Sequence, residues 1–171
     1  MQTDAKAEID EIYLRSYQEI FSFCLYRLFH RDMAADVVAE VFLRLVEEYP
    51  RLRSRSAAEI RNWLYGTARN FIARSIRDSK RRLNVFRAKA READCTNEST
   101  GNSLDWPIMF AAISKLKPMF QDIIVLRFCQ GMKTADIADI LNVNHNTLRV
   151  RLTRAIAMLK EELKEPFGEI D

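Results

Sequence analysis

The chain has 171 residues, 48% of them hydrophobic, and a formal net charge of +3. That is enough apolar material for one domain or two small ones, and it excludes disorder throughout. No apolar run approaches the ~20 residues of a membrane span, and four glycines and four prolines suit helices better than hairpins.

The opening stretch, MQTDAKAEIDEIY, is acidic and polar and does not read as a secretory signal. Ile9, Tyr13, Tyr17, Ile20, Phe21, Cys24, Leu25 and Leu28 recur at helical spacing and predict a first helix. Val38, Val41, Phe42, Leu45, Val46 and Tyr49 predict a second, with Asp32 and Asp36 at its amino end and Pro50 as its stop. After the polar stretch Arg51 to Ser56, Ser56-Ala-Ala-Glu59 is a capping box that predicts a third helix. Its apolar stripe is Ile60, Trp63, Leu64, Thr67, Ala68, Phe71 and Ile72, on which Trp63 reads as a core aromatic. A different stripe holds Asn70, Arg74, Arg77 and Arg81, whose spacing puts them on one face.

Charge is unevenly laid out. Between Arg61 and Arg91 stand ten bases, Arg61, Arg69, Arg74, Arg77, Lys80, Arg81, Arg82, Arg87, Lys89 and Arg91, against Asp78 alone. Like charges in a block repel unless a partner neutralises them, so this block predicts a polyanion, with Arg74 to Arg81 touching phosphate. Acid dominates residues 4 to 11 and 92 to 105. The latter stretch, EADCTNESTGNSLD, loses all periodicity and reads as a flexible linker. The chain therefore divides into a helical module at 1–91, a linker at 92–105, a second helical module at 106–165 and a tail at 166–171.

In the second module, Trp106-Pro107 opens a helix through Leu116, and Pro118 starts the next. That helix carries Phe120, Ile123, Ile124, Leu126 and Phe128, and Gly131 stops it. Thr134 is expected to cap a short helix bearing Ile137, Ala138, Ile140 and Leu141. A tight turn, Asn142-Val143-Asn144, then leads into a longer helix. Short helix, turn and longer helix form the helix-turn-helix layout, whose second helix enters the major groove. Leu148, Leu152, Leu159 and Leu163 would seat this helix. His145, Asn146, Arg149 and Thr153 would face DNA, with Arg151 and Arg154 at the flanks. Arginine can pair bidentately with guanine, asparagine with adenine.

The three cysteines, Cys24, Cys95 and Cys129, are scattered, and the two histidines, His30 and His145, stand alone. No zinc site, nucleophile–base pair or phosphate loop is visible, so neither an enzyme nor a metal or other cofactor is expected. Cys24 and Cys129 read as buried thiols of a reducing, cytoplasmic compartment.

Four segments carry a resemblance. They are Asp36-Val-Val-Ala-Glu40-Val-Phe42-Leu-Arg44-Leu; Arg61-Asn-Trp63-Leu-Tyr65-Gly-Thr-Ala-Arg69-Asn70; Leu126 to Gly131 followed by Ile137 to Leu141; and Thr147-Leu148-Arg149-Val-Arg151-Leu152-Thr-Arg154-Ala155. In order and spacing the sequence resembles bacterial RNA polymerase sigma factors of the extracytoplasmic-function (ECF) group. These are sigma-70 relatives built from two helical domains, region 2 and region 4. The resemblance covers about residues 10 to 90 and 106 to 163. It implies an all-α fold with a region 2 bundle and a region 4 helix-turn-helix. It also implies a protein that directs core polymerase to promoters by −35 recognition and −10 melting.

Carried over residue by residue, the resemblance puts Asp36, Glu40, Phe42 and Arg44 on the clamp helices of the beta-prime subunit, and region 4 on the beta flap. Trp63, Arg69 and Asn70 fall on the unpaired −10 bases. Arg74, Arg77, Arg81 and Arg82 fall on backbone phosphates, and Arg51 to Ala58 corresponds to a base-capturing loop. His145, Asn146, Thr147, Arg149, Arg151, Thr153 and Arg154 fall on the −35 duplex. The implied partners are core RNA polymerase, promoter DNA and an anti-sigma factor, the free protein being a monomer without membrane insertion. The sequence departs from the family pattern at Ala35 and Ala39, where an acid and a glutamine are usual, and at Asn146 and Val150, where glycine and serine are. Ile156-Ala157-Met158 replaces a basic run. Two other functions remain open to the sequence: a helix-turn-helix regulator acting without polymerase, which leaves the first module without a role, and a sigma-like decoy that binds a regulator.

Overall fold

The computed structural model describes the backbone of residues 2–89 and 106–167, and side chains over 5–81 and 107–164. The expected linker at 92–105 with Cys95, the end of the tail, and the side chains of Arg82, Arg87, Lys89 and Arg91 lie outside the described residues. Within them every element is helical. One compact unit holds α1 (Gln2–Leu28), α2 (Arg31–Leu52) and α3 (Ala57–Lys89). The other holds α4 (Trp106–Lys115), α5 (Pro118–Ile124) running into a π-helical turn (Val125–Cys129), α6 (Thr134–Leu141) and α7 (His145–Phe167). Helix α7 thus passes the boundary expected at 165.

In the first unit α1 serves two neighbours at once. Ile12, Ser16, Ile20, Phe23, Cys24 and Arg27 are buried, and Phe23 meets Tyr65 of α3 edge-on with ring centroids 5.3 Å apart. Tyr13 and Tyr17 instead pack on Phe42 of α2, at 4.8 and 6.2 Å. The expected stripe took this aromatic edge as the centre of the buried face. A helix held by two others presents two seams, and Ile12 and Phe23 lie on the one the spacing did not reveal. Arg61 of α3 pairs with Glu19 of α1 at 3.0 Å and lies over the Tyr65 ring.

Helix α2 buries Ala34, Val37, Val38, Val41, Phe42, Leu45, Tyr49 and Leu52. His30 caps it, Nδ1 accepting the Met33 N–H at 3.3 Å. Phe29, at the corner before it, takes a left-handed φ of 53°, a strained place for a bulky side chain. Pro50 does not end α2. Helical pairing continues to Arg53, whose N–H reaches Tyr49 O at 2.9 Å. Proline lacks one N–H, but continuing the turn keeps Leu52 on the core face beside Tyr49. The Tyr49 hydroxyl donates to the Glu8 carboxylate of α1.

Helix α3 starts as the capping box predicts. The Ser56 hydroxyl accepts the Glu59 N–H at 3.3 Å, and the Glu59 carboxylate accepts the Ser56 N–H at 2.9 Å. That backbone bond, then Arg55 and the Ser56 hydroxyl, hold the Glu59 carboxyl down at about 2.

In the second unit Pro118 opens α5. The buried Gln121 amide donates to Leu116 O at 2.7 Å and Ser114 O at 3.1 Å, joining the end of α4 to α5. Lys115 joins α4 to Glu162 of α7 at 2.9 Å. Gln130 N–H reaches back five residues to Val125 O, Gly131 turns left-handed at φ 65°, and Met132 N–H closes on Leu126 O, so the stop at Gly131 holds. Thr134 does not cap α6. It is the first helical residue, after an extended Lys133 that gives no side-chain cap. Its hydroxyl lies 3.1 Å from His145 Nε2 instead, a partner brought near only by the fold. Asn142 ends α6 in the left-handed region at φ 50°.

Candidate nucleic-acid interface

Helix α7 is seated by Leu148 and Ala155, both fully buried, and by Leu163. Leu152, Ile156 and Leu159 are half-buried. The leucine stripe therefore holds, with Ala155 as a member that the leucine spacing passed over. On the other side His145, Asn146, Thr147, Arg149, Thr153 and Arg154 are exposed, and Arg151 is half-buried.

Local bonds fix the entry of this helix. Asn144 Oδ1 accepts the Asn146 N–H at 2.8 Å. The His145–Thr134 pair ties the starts of α6 and α7 together. Thr153 turns its hydroxyl hydrogen inward to Arg149 O at 3.1 Å, which leaves its lone pairs outward. The first turn carries no acid, and Arg149 and Arg151 follow closely. Cations there oppose the helix's own dipole, whereas an external anion would be welcomed by both.

On α3 the core is met by Ile60, Leu64, Tyr65, Ala68 and Ile72. Asn70, Arg74, Arg77 and Arg81 stand exposed on the opposite side. Trp63, two turns before Asn70 on the same side, is half-buried and not a core residue. A side chain opposite the core is covered only in part, which is why the stripe reading of Trp63 fails. Arg69 is also half-buried and lies about 100° round the helix from Asn70, off that line. The structure therefore groups Trp63, Asn70, Arg74, Arg77 and Arg81 and sets Arg69 apart. The Arg82 side chain lies outside the described residues. The loop before α3 is exposed and spans residues 53–56, shorter than the expected Arg51 to Ala58, because α2 and α3 claim its ends.

On α2, Asp36, Glu40 and Arg44 are exposed, whereas Phe42 is buried beneath Tyr13 and Tyr17. Arg44 is held along its own helix by Glu47 and Glu48, each at 3.0 Å. Val46, expected on the apolar stripe of this helix, is instead 51% exposed, and Leu43, which the sequence reading passed over, is 61% exposed. The signal was available, since α2 carries more large aliphatics than one stripe can bury. Asp36 and Glu40 also line one cleft with Arg74, together with Phe71 and Asp78. Arg74 Nε lies 3.9 Å from Asp78. Residues assigned by sequence to two different partners thus share a wall-to-wall groove between α2 and α3.

The two cysteines among the described residues are free thiols. Burial pushes the Cys24 thiol up to about 12 and Cys129 up to about 11, so neither is a thiolate at neutral pH. Among the described residues no helix is long and apolar enough to cross a membrane.

Comparison with known proteins adds two family matches: the sigma-70 region 2 model over residues 12–82 and the sigma-70 region 4 model over residues 108–159. The chain is 27% identical over 147 residues to the ECF RNA polymerase sigma factor BldN of Streptomyces coelicolor, covering 82% of this chain and 55% of BldN. It thus spans little more than half of that relative. It is 26% identical over 166 residues to RNA polymerase sigma factor YlaC of Bacillus subtilis, covering 94% of this chain and 95% of YlaC. Among solved structures it matches the sigma factor RpoE, crystallised with the anti-sigma factor NepR from Bartonella quintana. The TM-score is 0.67 at 21% identity, over 92% of this chain and 97% of that one.

Proposed function

The chain belongs to the sigma-70 family of RNA polymerase sigma factors, in its ECF group, and on that premise we propose how its two units share the work of starting transcription. The first unit, region 2 at 1–91, docks on the polymerase clamp through α2. Asp36, Glu40 and Arg44 make the contact, while Phe42 acts from beneath by holding α2 to α1. The stripe on α3 then meets the −10 element. Trp63 and Asn70 take unpaired bases, one by its ring face and the other by hydrogen bonds, and Arg74, Arg77, Arg81 and Arg82 hold phosphates. Arg69 serves from the side of that line.

Extruding a base costs a few kcal/mol, least where pairing is already weak. Phosphate contacts and the affinity for polymerase offset it. The second unit, region 4 at 106–165, places the start of α7 in the −35 duplex. His145, Asn146, Thr147, Arg149, Arg151, Thr153 and Arg154 lie on or beside that face. The protein contributes binding and no chemistry on nucleotides. It acts in the cytoplasm with core polymerase and promoter DNA as partners, and an anti-sigma factor as the partner that restrains it.

The observation that carries this reading is the exposed Asn70–Arg81 line with Trp63 at its head. A regulator that reads duplex DNA through α7 alone has no use for it. The test is run-off transcription with purified core polymerase on fragmented DNA of the source genome, with and without the protein. Discrete transcripts that require the protein are expected, with related sequences upstream of their starts. Polymerase binding without any new transcript would refute the initiating role, and no polymerase binding would refute the assignment of α2.

A further inference from the structure

We propose, resting on the sigma-factor reading above, that Val150 is a specificity residue that recognises a thymine in the upstream promoter element through the base's methyl group. Val150 is 53% exposed on α7. The buried line of that helix runs through Leu148 and Ala155. Two residues on from Leu148, Val150 lies about 200° round and faces away from the core. Its neighbours one turn before and after are Asn146, Thr147, Thr153 and Arg154, all exposed. An aliphatic side chain therefore sits in the middle of a polar and basic face.

Val150 belongs to none of the buried positions that seat the helix. About half of the residue is open to water, and a β-branched residue is a slightly poorer helix former than the arginines beside it. A single exposed aliphatic is ordinary on a protein surface. This one, however, occupies the second turn of the second helix of a helix-turn-helix, the part that such motifs insert into the major groove. Every neighbour can bond a base edge or a phosphate, and Val150 can bond neither. The major groove offers one apolar mark, the C5-methyl of thymine, so that is the group its own methyls match. Asn146, a turn earlier on the same line, has an amide N–H to donate to adenine N7 and an oxygen to accept from adenine N6.

The test uses holoenzyme assembled from core polymerase and the full chain. It first selects from duplexes randomised in the upstream element, and the enriched duplex becomes the probe. Each thymine of that probe is then replaced by deoxyuridine, which removes only the methyl, and affinity is measured at one salt concentration for the native chain and for Val150→Ala. Burying one methyl predicts that uracil at one position weakens the native holoenzyme about fourfold. The same uracil should cost the Val150→Ala holoenzyme nothing, the two changes being non-additive because they remove one contact. The helix content of the variant should be unchanged. The inference is overturned if no thymine methyl matters, or if the uracil penalty persists undiminished in Val150→Ala. If holoenzyme enriches no upstream sequence beyond what core polymerase alone enriches, the sigma-factor reading itself falls and takes this inference with it.

Discussion

Replacing Gln121 by leucine isolates one tie in the second unit, because volume and burial are nearly kept while both donors vanish. The side chain is 8% exposed, and its amide serves Leu116 O and Ser114 O. The Leu116 bond is buried, so orphaning that oxygen costs about 1–3 kcal/mol, whereas the part-buried Ser114 oxygen can regain water. The extra apolar surface of leucine offsets less than about 1 kcal/mol. The net loss is about 1–2 kcal/mol, a large fraction of what so small a unit has. With a urea slope of roughly 1 kcal/mol per M, the midpoint of the second unit should fall by about 1–2 M. Amide hydrogen exchange followed by mass spectrometry across urea measures this unit by unit: peptides of α4, α5 and α7 should lose protection early, and those of α1 to α3 should not. The mutant should also bind the −35 duplex more weakly, since α4 and α5 form the seat of α7. A second-unit midpoint unmoved within ~0.2 M would refute the reasoning, because the orphaned carbonyl would then carry no net cost.

Three further outcomes are expected. Arg149→Ala should weaken binding to the −35 duplex by ~1–3 kcal/mol, and an unchanged footprint at unchanged affinity would remove Arg149 from the base-reading set. Asn70→Ala should impair promoter opening and spare polymerase binding; permanganate reactivity of the melted region equal to that of the native chain would contradict its role. Glu59 has a folded value of about 2 against an ordinary 4.5, so its contribution is present above about 4.5 and lost as pH falls toward 2. Glu59→Gln should therefore flatten the acid dependence of first-unit stability in that window, which urea midpoints at about pH 6 and about pH 3 would reveal.

What the sequence made legible follows the range of the forces involved. Ser56 and Glu59 satisfy each other across three residues, Pro118 needs only its own ring, and Gly131 only its own backbone freedom, so all three could be read in advance. Thr134 looked like a cap on the same local grounds, but its hydroxyl found His145 through the tertiary fold. Pro50 looked like a stop, and the burial of Leu52 overrode it. Tyr65 and Phe23 were missed because their partnership spans two helices. The candidate interface divides in the same way. The line Asn70, Arg74, Arg77, Arg81 followed from spacing alone. That Asp36 and Glu40 face the same groove as Arg74 is a consequence of how α2 lies on α3, which no spacing contains.

The wide turn at Val125–Cys129 also bears on how the chain can change length. The bonds there reach five residues back, as Gln130 N–H does to Val125 O, so the helix ends in a coil wider than the α turns of Pro118–Ile124. A deletion there falls at the end of the helix, just ahead of the left-handed Gly131, and leaves the turns of Pro118–Ile124 as they are. Elsewhere in α5 the same deletion would rotate every following side chain by about 100° and turn Gln121 or Ile123 away from its partners. The second unit thus places, just ahead of α6 and α7, the segment where a one-residue loss rotates the fewest side chains of its own helix.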